Sequence, residues 1–497
     1  METIRQTKIR NGIGRLVKKG ESYVALLIDG GAVVASFENE DPEKAWAALV
    51  GNQSNQTGTA QFENLVPIDN LTYEGVGKYI ETTSKSIYLT GRAGTGKTTF
   101  LRNFLEKTEL KAIIIAPTGI AALNAGGQTA HSLFKFPPSL IRPQDVRRVR
   151  EGKILRNIDL LVVDEVSMVR ADLMDAIDRS MRLHRGVPKP FGGVRLMCVG
   201  DAAQLPPIVR GEEIETLNEW YGGPFFFDAP SVKQLDWSLI ELTHAFRQTE
   251  PHFLALLNRL RIGEVTRQDA ELLDQRIAPT PEDNSGQSVI LTTTNDGSRR
   301  INDKEMAAIA TKPAVYFGES TGNFDDKLFP TELELELKVG AKVMLLRNDM
   351  DRRWVNGTLA VVHELLQESV KVKIGRHVHE VEAVEWERYA YDVDANDKPT
   401  RKTIGTFKQL PLKLAWALTI HKAQGLSFDK VHIDFGRGAF AHGHTYVALS
   451  RCRSLAGLTL SRNLRRSDLI IDSRASAFLE NAQFEDYGTH RIGENPT

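Results

Sequence analysis

Among 497 residues there are only two cysteines, Cys198 and Cys452, far apart and set in apolar or motif surroundings. That argues against a disulfide framework or a thiolate zinc site, and it points to a reducing compartment, the cytoplasm. No apolar run approaches the length of a membrane span, and the charged opening METIRQTKIR has no apolar signal-peptide core, so no membrane partner is expected. Nor is there an excess of one charge. The 63 Lys and Arg against 64 Asp and Glu leave a net charge of −1, so any nucleic-acid site has to be a local groove rather than a basic surface. What remains, 41% hydrophobic and 26% charged, is an ordinary globular composition long enough for several domains.

The most informative stretch is SIYLTGRAGTGKTTF, residues 86–100. A β-branched and aromatic run breaks at Gly91 and continues into TFLRNFLEK, which reads as a helix. Between them G-x-x-x-x-G-K-[ST] is met by Gly91, Gly96, Lys97 and Thr98, in the strand–loop–helix setting that a P-loop requires. Glycines here, Gly94 and Gly96 included, let backbone N–H groups turn inward around phosphate oxygens without a Cβ in the way. Thr95 and Thr99 flank that cradle, Lys97 reaches the β and γ phosphates, and Thr98 offers a hydroxyl to Mg2+. The cofactors expected are therefore ATP and Mg2+.

From about Leu71 to Leu242, short apolar runs alternate with helical stretches: SIYLT, KAIIIAPT, IDLLVVDEV, VRLMCVGD. Runs apolar throughout are what buried parallel strands look like, and their C-terminal ends share one ligand-binding edge. LLVVDEV puts Asp164 and Glu165 on that edge, the first suited to hold Mg2+ and the second to polarise the attacking water. VGDAAQLPP adds Gln204, a neutral amide able to sense a γ-phosphate. Ahead of this region YVALLID and GAVVASF read as strands about a turn at Gly30 and Gly31. DPEKAWAALV reads as a helix capped by Asp41, and GNQSNQTGTAQ as a linker. Beyond it SVILTTT, LTIHKAQG, VHIDF and LTLSR repeat the strand–helix grammar without a P-loop. VGAKVMLLRND, NGTLAVVHEL, SVKVKI and HVHEVEAVEW alternate instead, which suits a small β-barrel or edge hairpins on the second sheet.

GRAGTGKTT, APTGIAALNAGGQTAHSLF, VVDEVSM, PFGGVRLMCVGDAAQLPP, FRQ, TIHKAQGLSFDKV and YVALSR stand in the order of superfamily-one, subclass B helicases. With RADLMDAIDRSMRLHRGVPKPFGG between Asp164 and Gln204, the chain resembles the Pif-type branch, RecD-like enzymes being next, over roughly Leu71 to Arg465. The resemblance implies an α/β fold of two RecA-like P-loop NTPase domains with an inserted Src-homology-3-like barrel. The expected divisions are an N-terminal α+β module at 1–68 and a first domain at 69–242, with a wedge insertion near 132–157. A second domain is expected at 243–340 and 406–470 around a barrel at 341–405, and then a tail at 471–497 holding one short helix and a frayed end.

The resemblance further implies a 5′-to-3′ ATP-driven DNA helicase, and some members unfold G-quadruplexes. Arg247 of FRQ and Arg451 of YVALSR are expected as arginine fingers beside Lys97, Asp164, Glu165 and Gln204, and Gly425 as a close backbone approach to the nucleotide. Thr118, Thr129, His131, Ser132, Asn348, Thr419, His421, Lys422 and Gln424 are expected to touch phosphate and sugar of a single strand. The FKFPP stretch (Phe134, Phe136, Pro137, Pro138) is either a duplex-splitting wedge or an apolar cap on the core. Single-stranded DNA and duplex junctions are the expected partners of a monomer, with a protein partner possible at the first module. Two other readings stand beside this one, an RNA helicase and a nucleotide-switched binding module that separates no strands. The chain departs from the family pattern twice. Glu74 and Gly75 stand where an adenine-reading Gln is usual, and His444 stands in place of another Gln.

Overall fold

The computed structural model describes residues 2–9, 12–19, 22–29, 32–39, 73–149, 152–248, 250–280, 286–484 and 490–492. The chain divides into two compact units, Met1–Asn70 with Gln483–Gly488 and Leu71–Ala482 with Thr489–Thr497. In the smaller unit, Glu2–Ile9, Gly12–Lys19, Ser22–Asp29 and Ala32–Asn39 form an antiparallel meander. The latter two are the strands read from the sequence. The first two are polar or glycine-bearing, without the apolar alternation that announces a strand. The Gly30–Gly31 turn, the helix expected after Asp41 and the linker lie outside the described residues.

The larger unit is built on two parallel sheets. The first runs in the order His490–Ile492, Trp237–Leu242, Ser86–Gly91, Arg195–Val199, Leu160–Val163, Ala112–Ala116, Gln128–Thr129. Every residue of Ser86–Gly91 is buried, and its side chains divide by the two-residue period. Ile87 and Leu89 pack with Val76, Phe100 and Phe104 on one face. Tyr88 packs with Phe226 and Phe478 on the other. The second sheet, Ala417–Thr419, Ser288–Thr292, Lys430–Asp434, Leu458–Leu460, has its own core around Phe253, Leu257, Ile433 and Val447.

Three features settle an open reading or depart from expectation. Phe134 and Phe136 are 1% and 6% exposed and stack at 5.4 Å within the first core, so FKFPP is the apolar cap and its rings are not a wedge surface. The tail expected to fray contributes His490–Ile492 as an edge strand, held by backbone pairing that leaves no side-chain periodicity to read. The barrel region is a five-stranded antiparallel sheet separate from the second parallel sheet. Its order is His377–Glu382, Ser369–Ile374, Leu359–Leu365, Lys342–Leu345, Leu412–Leu414, so its last strand lies beyond residue 405.

Between those strands a long hairpin, Val384–Val393 and Pro399–Gln409, pairs with Glu319–Gly322 and docks on the first parallel sheet. The short strand Gln128–Thr129 covers only Ile115 and Ala116, and the Tyr391 hydroxyl serves Ile114 instead. It accepts the Ile114 N–H at 2.8 Å and donates to the Ile114 carbonyl at 3.2 Å. Gln128 Nε2 donates to Tyr389 O at 2.6 Å, Arg388 to Ser132 Oγ at 3.1 Å, and Lys153 pairs with Asp397 at 2.7 Å. Tyr391→Phe strands a buried N–H. It is expected to cost about 1–3 kcal/mol and lower the thermal midpoint; an unchanged midpoint in calorimetry would show that the hydroxyl does not hold the hairpin.

Candidate active site

The C-terminal edge of the first sheet gathers the P-loop, the two carboxylates and Gln204, because parallel strands end on one side. Gly91, Gly94 and Gly96 take φ of 149°, 86° and 82°. A Cβ on Gly94 would sit 2.5 Å from Arg247 Cβ, so glycine is what lets the FRQ segment close on the loop. The Phe246 N–H seals that approach by donating to Gly94 O at 2.9 Å. Thr95 is buried, its hydroxyl donating to Arg92 O at 2.9 Å, while Thr98 and Thr99 are exposed at the start of the helix Lys97–Lys107. Lys97 Nζ donates to Gly91 O at 2.6 Å and Arg92 O at 3.1 Å, and burial pushes its pKa down.

Asp164 follows the fully buried strand Leu160–Val163, and its carboxylate accepts the Glu165 N–H at 2.9 Å. Glu165 adopts a left-handed φ of 49°, a strained conformation of the kind concentrated at functional sites. Burial, and then the Glu165 charge, push Asp164 up to about 7; burial raises Glu165 as well. Gln204 donates its side-chain amide to Asp201 Oδ2 at 3.3 Å.

The second sheet's loops close over this edge. Arg247 donates to Ser450 O at 3.1 Å and Gly425 O at 3.2 Å, and its Nε is buried without a hydrogen-bond partner. Arg451 is buried, donating to Val447 O at 2.9 Å and Ser450 Oγ at 2.8 Å. Burial lowers both arginines, Arg451 to about 10. Lys97, Arg247 and Arg451 are thus three cations taken out of water, and none is ion-paired among the described residues. Such a set fits a polyanion, and the Asp164 carboxyl and the exposed Thr98 hydroxyl are oxygen donors of the kind a hard divalent cation takes.

The expected strand-contacting residues come out less uniformly. Thr118 and Thr129 cap the helices Gly119–Ala125 and Ala130–Phe134, Asn348 accepts the Asn356 N–H, and Thr419 is buried and accepts the Lys422 N–H. Ser132 is engaged by Arg388. His131 and His421 are half-buried and shifted down by burial, whereas Lys422 is exposed. Gln424 donates to Glu165 Oε2 at 3.0 Å, which puts its amide on the carboxylate pair instead of a nucleic-acid strand. His444 is fully buried, edge-on to His421 and Phe440, and is lowered to about 4 by burial.

Four further residues complete the surroundings of the site. The Tyr446 hydroxyl accepts the Ala93 N–H of the P-loop at 3.0 Å. Gln248 Nε2 donates to Ser450 O and Cys452 O, both at 2.9 Å. His442 uses both ring nitrogens structurally, Nε2 3.0 Å from Ala202 O and Nδ1 accepting the Asp472 N–H at 2.9 Å. Arg261 reaches Asp201. Only Arg261 left a signal, a charge four residues after Leu257 on the buried face of Pro251–Ile262.

Two parallel sheets closing over one P-loop give the architecture of a P-loop protein with two RecA-like domains. The sequence profile of the PIF1-like helicases matches residues 70–270, that of the Pif1 DNA helicase 2B domain residues 326–365, and a herpes-type helicase profile residues 404–486. The chain is 34% identical to the ATP-dependent DNA helicase PIF1 of Mus musculus, over 75% of this chain but 57% of that protein. It is 30% identical to the ATP-dependent DNA helicase Pif1 of Bdellovibrio bacteriovorus, covering 81% and 89%. Bacteroides Pif1 in complex with ADP-AlF4 superposes with a TM-score of 0.77 at 35% identity, over 84% of this chain and 98% of that one. Bacteroides Pif1 bound to single-stranded DNA superposes at 0.62 and 36% identity, over 84% and 97%. The chain belongs to the PIF1-like helicase family.

Because Asp164 titrates above the value of an unfolded chain, about 3.9, its folded carboxylate withholds stability at high pH and returns it as pH falls from 7 towards 4. Asp164→Asn is therefore expected to raise the thermal midpoint of the nucleotide-free protein, and by more at pH 8 than at pH 5. An equal gain at both would argue against the raised carboxyl.

Proposed function

We propose that this chain is an ATP-dependent DNA helicase that moves 5′ to 3′ on single strands and opens duplex or G-quadruplex DNA. The observation that carries the reading is a set of cations from both halves, Lys97 of the first and Arg247 and Arg451 of the second, none ion-paired among the described residues, at the seam that also holds the carboxylates Asp164 and Glu165. A nucleotide at that seam is held by both halves, so its hydrolysis changes how they grip each other. The names of the relatives and the nucleotide- and DNA-bound Bacteroides structures support this reading.

In this scheme the P-loop amides and Lys97 bind the phosphates, and Thr98 and Asp164 would hold Mg2+, which would supply neutralisation of phosphate charge. Glu165 takes the proton of the attacking water; the Gln424 amide orients it from the second sheet, and the nearby Lys97 and Arg451 charges favour its ionised form. Arg247 and Arg451 trade backbone carbonyls for the charge developing on the γ-phosphoryl. Gln204 swings from Asp201 towards the water. Lys422, His131 and His421 supply the strand contacts in this reading, with Thr118, Thr129 and Thr419 shaping the loops that carry them. Among the described residues no helix is long and apolar enough to cross a membrane. We place the protein in the cytoplasm as a monomer, with a protein partner for the first module.

Strand separation on partial duplexes with a 5′ or a 3′ tail, with Lys97→Ala alongside, tests this. Opening of only the 5′-tailed duplex, abolished in the variant, is expected. Opening of the 3′-tailed duplex would reverse the polarity. Hydrolysis without opening of either would leave a translocase or switch, and stronger stimulation by RNA than by DNA of one sequence would change the substrate.

A further inference from the structure

The helix Pro251–Ile262 belongs to the second half, yet Arg261 near its end leaves that half's apolar core and enters the first. Its side chain is 6% exposed and that of Asp201 is 0% exposed. Nη2 donates to Asp201 Oδ1 at 2.9 Å and Nε to the same oxygen at 3.3 Å, with Glu241 4.0 Å from Nη1. Asp201 Oδ1 also accepts the Ala203 N–H at 3.1 Å, and Oδ2 accepts the Gln204 side-chain amide at 3.3 Å. One carboxylate is therefore gripped by a cation from the second half while it grips the Gln204 amide of the first. The same loop is clamped again nearby. A Cβ on Gly443 would fall 2.5 Å from Ala203 O, and His442 reaches Ala202 O.

The arrangement has an electrostatic side. Asp201 interacts with the Lys97 ammonium, and burial alone would raise its pKa, but Arg261 and Lys97 outweigh burial and hold the carboxyl below its ordinary value. Without the guanidinium, an uncompensated buried carboxylate would draw Lys97 to itself and repel incoming phosphates. A buried ion pair is a poor device for stability, because well-packed apolar residues do as well. This one instead fixes position, since two guanidinium nitrogens converge on Oδ1 and leave Oδ2 to the Gln204 amide.

We infer that Arg261 is a positioning residue that couples closure of the second half to the orientation of Gln204, acting through Asp201. This rests on the ATPase reading of the site. When the halves separate, Arg261 leaves and Asp201 loses the partner that aims it. When they close, the carboxylate is set and holds the Gln204 amide in the place from which it turns to the water.

The test is steady-state ATP hydrolysis with single-stranded DNA, for wild type, Arg261→Lys and the pair Arg261→Gln with Asp201→Asn, with thermal midpoints measured alongside. Lysine keeps the charge but not the fork, so kcat is expected to fall about tenfold while KM for ATP moves less than about threefold and the midpoint stays near wild type. The double variant removes the Arg261 and Asp201 charges together and leaves only Glu241 without its more distant partner, so it is expected to fold with a midpoint near wild type while its kcat stays low. It decides the matter if lysine fails to fold. A kcat within about twofold of wild type in either folded variant overturns the positioning role and leaves the motor standing. A wild type that hydrolyses no ATP overturns both.

Discussion

Charge held out of water at the seam between two parallel sheets is the constraint on which the rest of this structure depends. Asp164, Asp201, Arg261 and Arg451 are buried there, and Lys97, Glu165 and Arg247 are half-buried. Each is tolerable there only because backbone carbonyls, side-chain amides or an opposite charge face it. The Arg261–Asp201 pair is the fully compensated case, whereas the two arginines of the second half rest on the carbonyls of Val447, Ser450 and Gly425. A site in that condition is poised. A polyanion relieves the cations and a divalent ion relieves the carboxylates, so ligand and closure favour each other.

The groups that bear on the chemistry come from both halves, which ties the reaction to domain geometry. Tyr446 caps a P-loop amide, Gln424 orients Glu165, and Gly94 has no side chain because Arg247 needs its space. Separation of the sheets would break all three together. The hairpin Val384–Val393 and Pro399–Gln409 adds a second bridge on a different edge, where Tyr391 satisfies Ile114 and Arg388 engages Ser132. Ser132 was read as a strand contact, and its hydroxyl is already occupied in this conformation.

Much of this was legible from local pattern. The P-loop, the buried runs at 112–116 and 160–163 and the carboxylates at a strand end depend on neighbours within a dozen residues, whereas the arginines of FRQ and YVALSR were expected only from the family resemblance. Chain-local physics constrains such features strongly: glycine where φ is positive, apolar residues where a strand is covered on both faces. What the sequence left open or misread shares a cause. Phe134 and Phe136 have the composition of a wedge and of a core, and only the arrival of the helix Ala171–Arg185 with its apolar face makes them core. Gln424 sits in a motif of hydroxyls and cations, and nothing near it in sequence reveals that Glu165 lies 3.0 Å away. His490–Ile492 pairs through its backbone, which composition does not record.

By itself, then, the sequence determined the class of chemistry, because phosphate cradling and Mg2+ binding need particular residues at fixed spacing along one strand–loop–helix. It also determined that two such α/β layers exist, since doubly covered strands must be apolar throughout. The tertiary structure alone decided which side chains meet across the seam. Arg261 with Asp201 are 60 residues apart, Gln424 with Glu165 259 apart and Tyr446 with Ala93 353 apart. At those separations a contact depends on how whole layers pack, and a single residue leaves no local trace of the partner it will face.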